Sequence, residues 1–228
     1  MIQVILSSPL FGIVLSCIAW CVGVWVQKKT RLVLCNPLII SAALVILVLV
    51  AFHIPYSDFN QGANFITLML GPATAVLALN IYGQRQLLGK HFVPVLVGCL
   101  VGCLTSVGSV LLLCRVLVLE ESIAASLLPK SVTTAIAVAI SGSSGGIQSI
   151  TVAAVIVAGI TGALFAPLFA RLFRVTNPIA EGVAIGASSH ALGTTKALEI
   201  GQLQGAMSSI SICVCGIITS VLVLFLPS

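Results

Sequence analysis

The chain has 228 residues, of which 59% are hydrophobic and 7% charged, with a net charge of +5 and a mean hydropathy of +1.25. A soluble domain carries about a quarter charged residues, so this composition cannot coat a globule in water and excludes a soluble enzyme or binding module. The basic excess is no nucleic-acid footprint either: Lys28, Lys29 and Arg31 sit together and the other basic residues are scattered between apolar runs.

Eight apolar elements follow along the chain, at about 9–26, 35–54, 64–83, 91–114, 122–141, 148–170, 179–199 and 203–226. Most can cross a bilayer as a helix of about 20 residues, and they are apolar on every side, which excludes the alternating strands of a membrane barrel. The stretch Met1 to Leu15 has no basic residue, so the first element is expected to be retained as a span and not cleaved as a signal peptide. The expected fold is an all-α polytopic membrane protein formed by a single domain over 1–228.

The first element ends at Lys28-Lys29-Thr30-Arg31 and the second opens with Asn36-Pro37. The third contains Leu70-Gly71-Pro72-Ala73-Thr74, so Gly71, Pro72 and Thr74 mark a helix break inside an apolar segment. The fourth carries Gly98 and Gly102 at a close-packing spacing. The fifth holds Pro129-Lys130 near its centre; proline removes a helix hydrogen bond and a lysine at that depth costs about 2.5–3.5 kcal/mol on the insertion scale.

Shifting the first four elements by about 115 residues lands near the second four, which suggests a duplication with repeats at about 1–117 and 118–228. Basic loops follow elements one (Lys28, Lys29, Arg31), three (Arg85, Lys90) and six (Arg171, Arg174). Under the positive-inside rule the opposite alternation in the two halves suggests inverted repeats. Eight full crossings cannot give that pattern, so one element should be re-entrant or broken, and the fifth is the candidate.

Four charges fall within or at the edge of membrane elements: Lys130, Glu181, Lys196 and Glu199. A helix starting after Pro129 leaves unpaired amides beside Lys130, Ser131, Thr133 and Thr134, a set suited to an anion. The other reading has these hydroxyls bonding back to their own helix while Lys130 snorkels. The seventh element contains Gly186 to Glu199, with Ser188, Ser189, His190, Gly193, Thr194 and Thr195. Such polarity suits a helix facing protein, a cavity or a second broken helix. His190 either exchanges a proton or bonds across a helix interface. Lys196 and Glu199, three apart, read as a neutralising pair, and Glu181, after Asn177-Pro178, as a first-turn acid.

The eight cysteines lie almost wholly within apolar runs with no His or acidic partner at ligand spacing, and read as small packing residues. No nucleotide-binding fingerprint, zinc spacing or catalytic constellation occurs, so no metal, cofactor or enzymatic activity is expected, and transport would draw on a gradient.

With Leu128-Pro129-Lys130-Ser131-Val132-Thr133-Thr134, Ala187-Ser188-Ser189-His190-Ala191-Leu192-Gly193-Thr194 and Leu70-Gly71-Pro72-Ala73-Thr74, the sequence resembles the LrgB/CidB family of bacterial inner-membrane proteins over nearly its whole length. The resemblance implies a multi-pass inner-membrane protein with an antiholin-like role, paired with a small LrgA/CidA-like holin-like partner and expected to self-associate. It implies equally a carrier of small monocarboxylates, since relatives move pyruvate and a similar domain forms the chloroplast glycolate/glycerate translocator. Family members usually have proline where this chain has Asn80 and Ala135. The expected site joins Pro129, Lys130, Ser131, Thr133, Thr134, Ser188, Ser189, His190, Gly193 and Thr194 around a small carboxylate, with His190 coupling a proton.

Overall fold

The computed structural model describes residues 8–30, 35 and 37–226, apart from the side chains at 73, 74, 77, 78, 80 and 81; Asn36, Arg31 and the side chains of Thr74 and Asn80 lie outside this description. The described chain is helical: α1 (Pro9–Thr30), α2 (Pro37–Ala51), α3 (Tyr56–Leu68), α4 (Leu70–Gly83), α5 (Arg85–Lys90), α6 (Phe92–Val116), α7 (Glu121–Leu127), α8 (Thr134–Ser143), α9 (Gln148–Leu172), α10 (Pro178–Ile200) and α11 (Gln202–Leu224). Of these α1, α6, α9 and α11 are long and apolar enough to cross a membrane. The chain is an all-α polytopic membrane protein.

Contacts divide it into two compact units, Met1–Ala73 and Thr74–Ser228. In the first, α1 packs on α2 and α3 through small residues that let backbones approach. A methyl on Gly23 would stand 2.6 Å from the Pro37 carbonyl oxygen, and one on Gly62 would stand 3.0 Å from Gly12 Cα. Ser41 Oγ donates to the Ala19 carbonyl at 3.2 Å. The break expected at Gly71-Pro72 occurs two residues earlier, at Met69 between α3 and α4; Pro72 then falls in the first turn of α4, where its missing N–H leaves no helical bond unmade.

The second unit contains two membrane hairpins. The fifth sequence element is interrupted as expected: α7 ends at Leu127, residues 128–133 are unwound around Pro129, and α8 starts at Thr134. The element also turns back. The Ile147 amide, just past α8, donates to Ser126 Oγ on α7 at 2.6 Å, and a methyl on Gly146 would stand 2.9 Å from the Ser126 nitrogen. A straight continuation would carry Ile147 roughly 15 Å or more beyond the break, the length of α8 alone. The element is therefore re-entrant.

Helix α10 folds back as well. Its backbone leaves the helical region at His190 (φ 40°, ψ −139°), a conformation strained for any side chain. Gly193 has Ile185 Cγ2 3.0 Å from the position of an added methyl, whereas eight residues of straight helix would separate the two by about 12 Å. Ser208 on α11 contacts both arms: its Cα lies 2.9 Å from a methyl built on Gly186, and its hydroxyl is 2.7 Å from Thr194 Oγ1. Residues 178–189 and 191–200 are thus the arms of a second hairpin with His190 at its tip.

Connectivity places the hairpins on opposite sides. Helix α9, 25 residues or about 37 Å long, joins the base of the first to the base of the second. Helices α6 and α11 run parallel, with the Cys99 thiol 3.8 Å from the Ser211 carbonyl oxygen and the Cys103 thiol 3.7 Å from that of Cys215. A register of 115 pairs these two helices, and inversion of whole repeats would set them antiparallel. It also pairs the first hairpin with α1, which is unbroken. A re-entrant fifth element also accounts for the loop charges: α6 and α9 cross once each, so Arg85, Lys90, Arg171 and Arg174 share one side.

Candidate functional site

The two tips reach about the same level, half-way along α6, which Ser106 marks. Lys130 Nζ donates to Ser106 Oγ at 3.0 Å and approaches its carbonyl oxygen at 3.5 Å, while Ser106 Oγ and Ser131 Oγ are 2.8 Å apart. One turn earlier on α6, a methyl on Gly102 would stand 3.1 Å from Ala187 Cβ, and another turn back one on Gly98 would stand 2.9 Å from Val183 Cγ1. The glycine spacing in the fourth element is therefore a seat for the first arm of the second hairpin.

A cavity of about 560 Å³ opens between the first tip, α9 and the first arm of the second hairpin. Lys130, Ser188, Thr161 and Glu181 contribute polar groups, and Phe165, Phe169 and Phe173 wall it from α9, their successive ring centroids 6.1 and 6.2 Å apart. Lys130 is half-buried and has no carboxylate at ion-pair distance; the ion pair among the described residues is Lys196 with Glu199, 2.8 Å apart on one helix face as the spacing implied. Thr133 Oγ1 is buried without a partner, and no side chain caps the start of α8. That helix end points its first amides into the middle of the membrane unit with the positive end of its dipole.

The expected site residues separate into two sets. Lys130 and Ser188 line the cavity. Pro129, Ser131 and Thr133 lie in the unwound tip with Lys130, and Thr134 opens α8. Ser189, His190, Gly193 and Thr194 are buried and do not line it; they hold the second hairpin together. His190 Nε2 donates to the Val155 carbonyl at 2.8 Å, Thr194 Oγ1 also donates to the His190 carbonyl at 3.1 Å, and Ser189 fills the space beside Gly162. Their polarity satisfies a folded-back backbone in a membrane, where unpaired groups are costly.

Over residues 16–228 the sequence matches the LrgB-like family. The chain belongs to that family. Among LrgB-family relatives, an antiholin-like protein LrgB from Bacillus subtilis (strain 168) is 37% identical over 213 residues, covering 93% of this chain and 92% of its own length. Proteins of the same name from Bacillus mycoides (strain KBAB4) and Bacillus cereus (strain B4264) are 36% identical over 222 residues, 96% of each chain. No solved structure matches. In this LrgB-family chain Ala135 sits in the first turn of α8, and Pro129 lies in the break before it.

Two cavity or tip residues, Ser106 and Thr161, escaped the sequence reading, and a third, Glu181, was read only as a first-turn acid. Ser106 lies in an apolar helix whose Thr105-Ser106 pair was its one signal. Thr161 is a single hydroxyl among apolar neighbours. Glu181 has the capping role expected of it, in the first turn behind the Asn177 cap whose Oδ1 accepts from Ile179 N at 2.9 Å, but its carboxylate also lines the cavity.

Proposed function

We propose that this LrgB-family protein is a secondary transporter of small monocarboxylates of the pyruvate, glycolate and glycerate class, spanning the bacterial cytoplasmic membrane with its basic loops inside. One observation carries the reading: Lys130 stands at a re-entrant tip, on a cavity, with its charge unmatched by any described acid. An intramembrane cation without a counter-ion marks a ligand site, because desolvating it is offset only by something negative or by water.

The carboxylate binds Lys130 Nζ, with the free amides at the start of α8 and the unpartnered Thr133 hydroxyl as further donors. Ser188 and Thr161 bond the hydroxyl or keto oxygen. Ser189, His190, Gly193 and Thr194 act through the shape of the second hairpin, and His190, committed to the Val155 carbonyl, holds the tip instead of passing a proton. Because the hairpins enter from opposite sides, each tip closes the cavity toward one side, and opening one at a time gives alternating access.

Purified protein in liposomes is expected to take up labelled pyruvate, glycolate or glycerate, with uptake lost in Lys130→Ala. Absence of uptake for all three with wild-type protein overturns the carrier. A second reading is favoured by the name of the relatives: the chain modulates a small holin-like membrane partner and so restrains lysis without transporting anything. Lysis control that survives Lys130→Ala in cells, together with inactive liposomes, supports that reading.

A further inference from the structure

We propose that Glu181 is the residue that restricts this cavity to a single carboxylate, rejecting dicarboxylates; the inference rests on the carrier reading and assigns its charge selectivity. Lys130 and Glu181 are the ionisable side chains lining the cavity among the described residues, one at the tip of the first hairpin and one at the base of the second. They do not pair with each other. Lys130 is held by Ser106, and Glu181 Oε2 accepts from Gln204 Nε2 at 3.2 Å, which leaves Oε1 without a described partner.

The extent of the cavity along this arm follows from the helix. Ser188 and Lys130 both line it, and Glu181 lies seven residues back from Ser188 on the same arm, about 10 Å by helix rise. A monocarboxylate seated on Lys130 has its charge neutralised and presents only neutral atoms toward Glu181. A dicarboxylate seated the same way extends its second charge along the arm toward Glu181, past Phe165, Phe169 and Phe173, and the two like charges repel. Like charges set against each other are a standard device for refusing the wrong ligand. The helix-dipole role of Glu181 does not account for its place: a cap needs no cavity, and the side chain already has Gln204 as a neutral partner.

The test measures inhibition of labelled pyruvate uptake by unlabelled pyruvate and by succinate in liposomes. Wild-type protein is expected to bind succinate at least roughly tenfold more weakly than pyruvate. Glu181→Gln, which keeps the shape and the Gln204 contact, is expected to narrow that gap about tenfold while the pyruvate KM moves less than about twofold. Ala184→Lys, one turn further along the same cavity wall, offsets the charge without touching Glu181 and is expected to narrow the gap as well. An unchanged gap in both variants, or equal inhibition by succinate in wild type, overturns the inference and leaves the carrier standing. Absence of pyruvate uptake in wild type overturns the carrier itself.

Discussion

Replacing Lys130 by glutamine separates the binding role of its charge from any role in the fold. The ammonium bonds only Ser106 among the described residues, and Ser106 Oγ keeps Ser131 Oγ at 2.8 Å when the lysine is gone. No acid is left unpaired, because none was paired. Substitution therefore removes a half-buried charge without exposing a new one, and thermal unfolding in detergent is expected to stay where it is or rise. Binding should respond differently. A hydrogen bond to a charged group is worth about 1.5–3 kcal/mol, which at 1.4 kcal/mol per decade is roughly a 10- to 150-fold rise in the pyruvate KM. Lys130→Arg keeps the charge with a different donor shape and should fall between the two. Concentration-dependent uptake of labelled pyruvate into liposomes measures all three. A KM for Lys130→Gln within about twofold of wild type, with intact protein, would refute the argument that this cation holds the substrate.

Other expectations concern the hairpins. In a background without native cysteines, single cysteines at Glu120 and Ser144 are expected to react with a membrane-impermeant thiol reagent from one side, and those at Thr176 and Gln202 from the other; opposite sides for Glu120 and Ser144 would mean that α7–α8 crosses. Gly162→Leu should unseat the second hairpin, because a Cβ there meets Ser189 Cβ at 2.5 Å, and overpacking of this kind lowers stability by about 1–3 kcal/mol, read as a drop in the unfolding temperature. His190→Gly and His190→Ala both remove the bond to Val155, yet glycine relieves the φ of 40°, so the glycine variant should be the more stable by about 1 kcal/mol; the reverse order would show that the tip is unstrained.

Much of the architecture was legible because its signals are local. Lys130 beside Pro129 announced both the interruption of the fifth element and the position of the cation, since each costs free energy in a membrane helix wherever the rest of the chain goes. The Asn177-Pro178 start of α10, the Lys196–Glu199 pair and the Gly98/Gly102 spacing were readable for the same reason: each depends on neighbours within a turn or two. The polar run from Gly186 to Thr195 reads as unsuited to lipid; in the fold His190 and Thr194 bond backbone carbonyls, while Ser188 lines the cavity.

By itself, then, the sequence determined that this is a polytopic helical membrane protein of the LrgB-like family, where its apolar segments run, and which residues are too polar to face lipid, because transfer into a bilayer is decided residue by residue. Tertiary structure decided that 178–200 is a hairpin and not a span. Helical periodicity is the same in a straight helix and in two arms of one, and only the close approach of Gly162, Gly182, Gly186 and Gly193 to their neighbours selects the folded form. It decided too that Ser106, Thr161 and Glu181, far apart in the chain, stand around or beside Lys130, since a cavity belongs to packed helices and to no single segment.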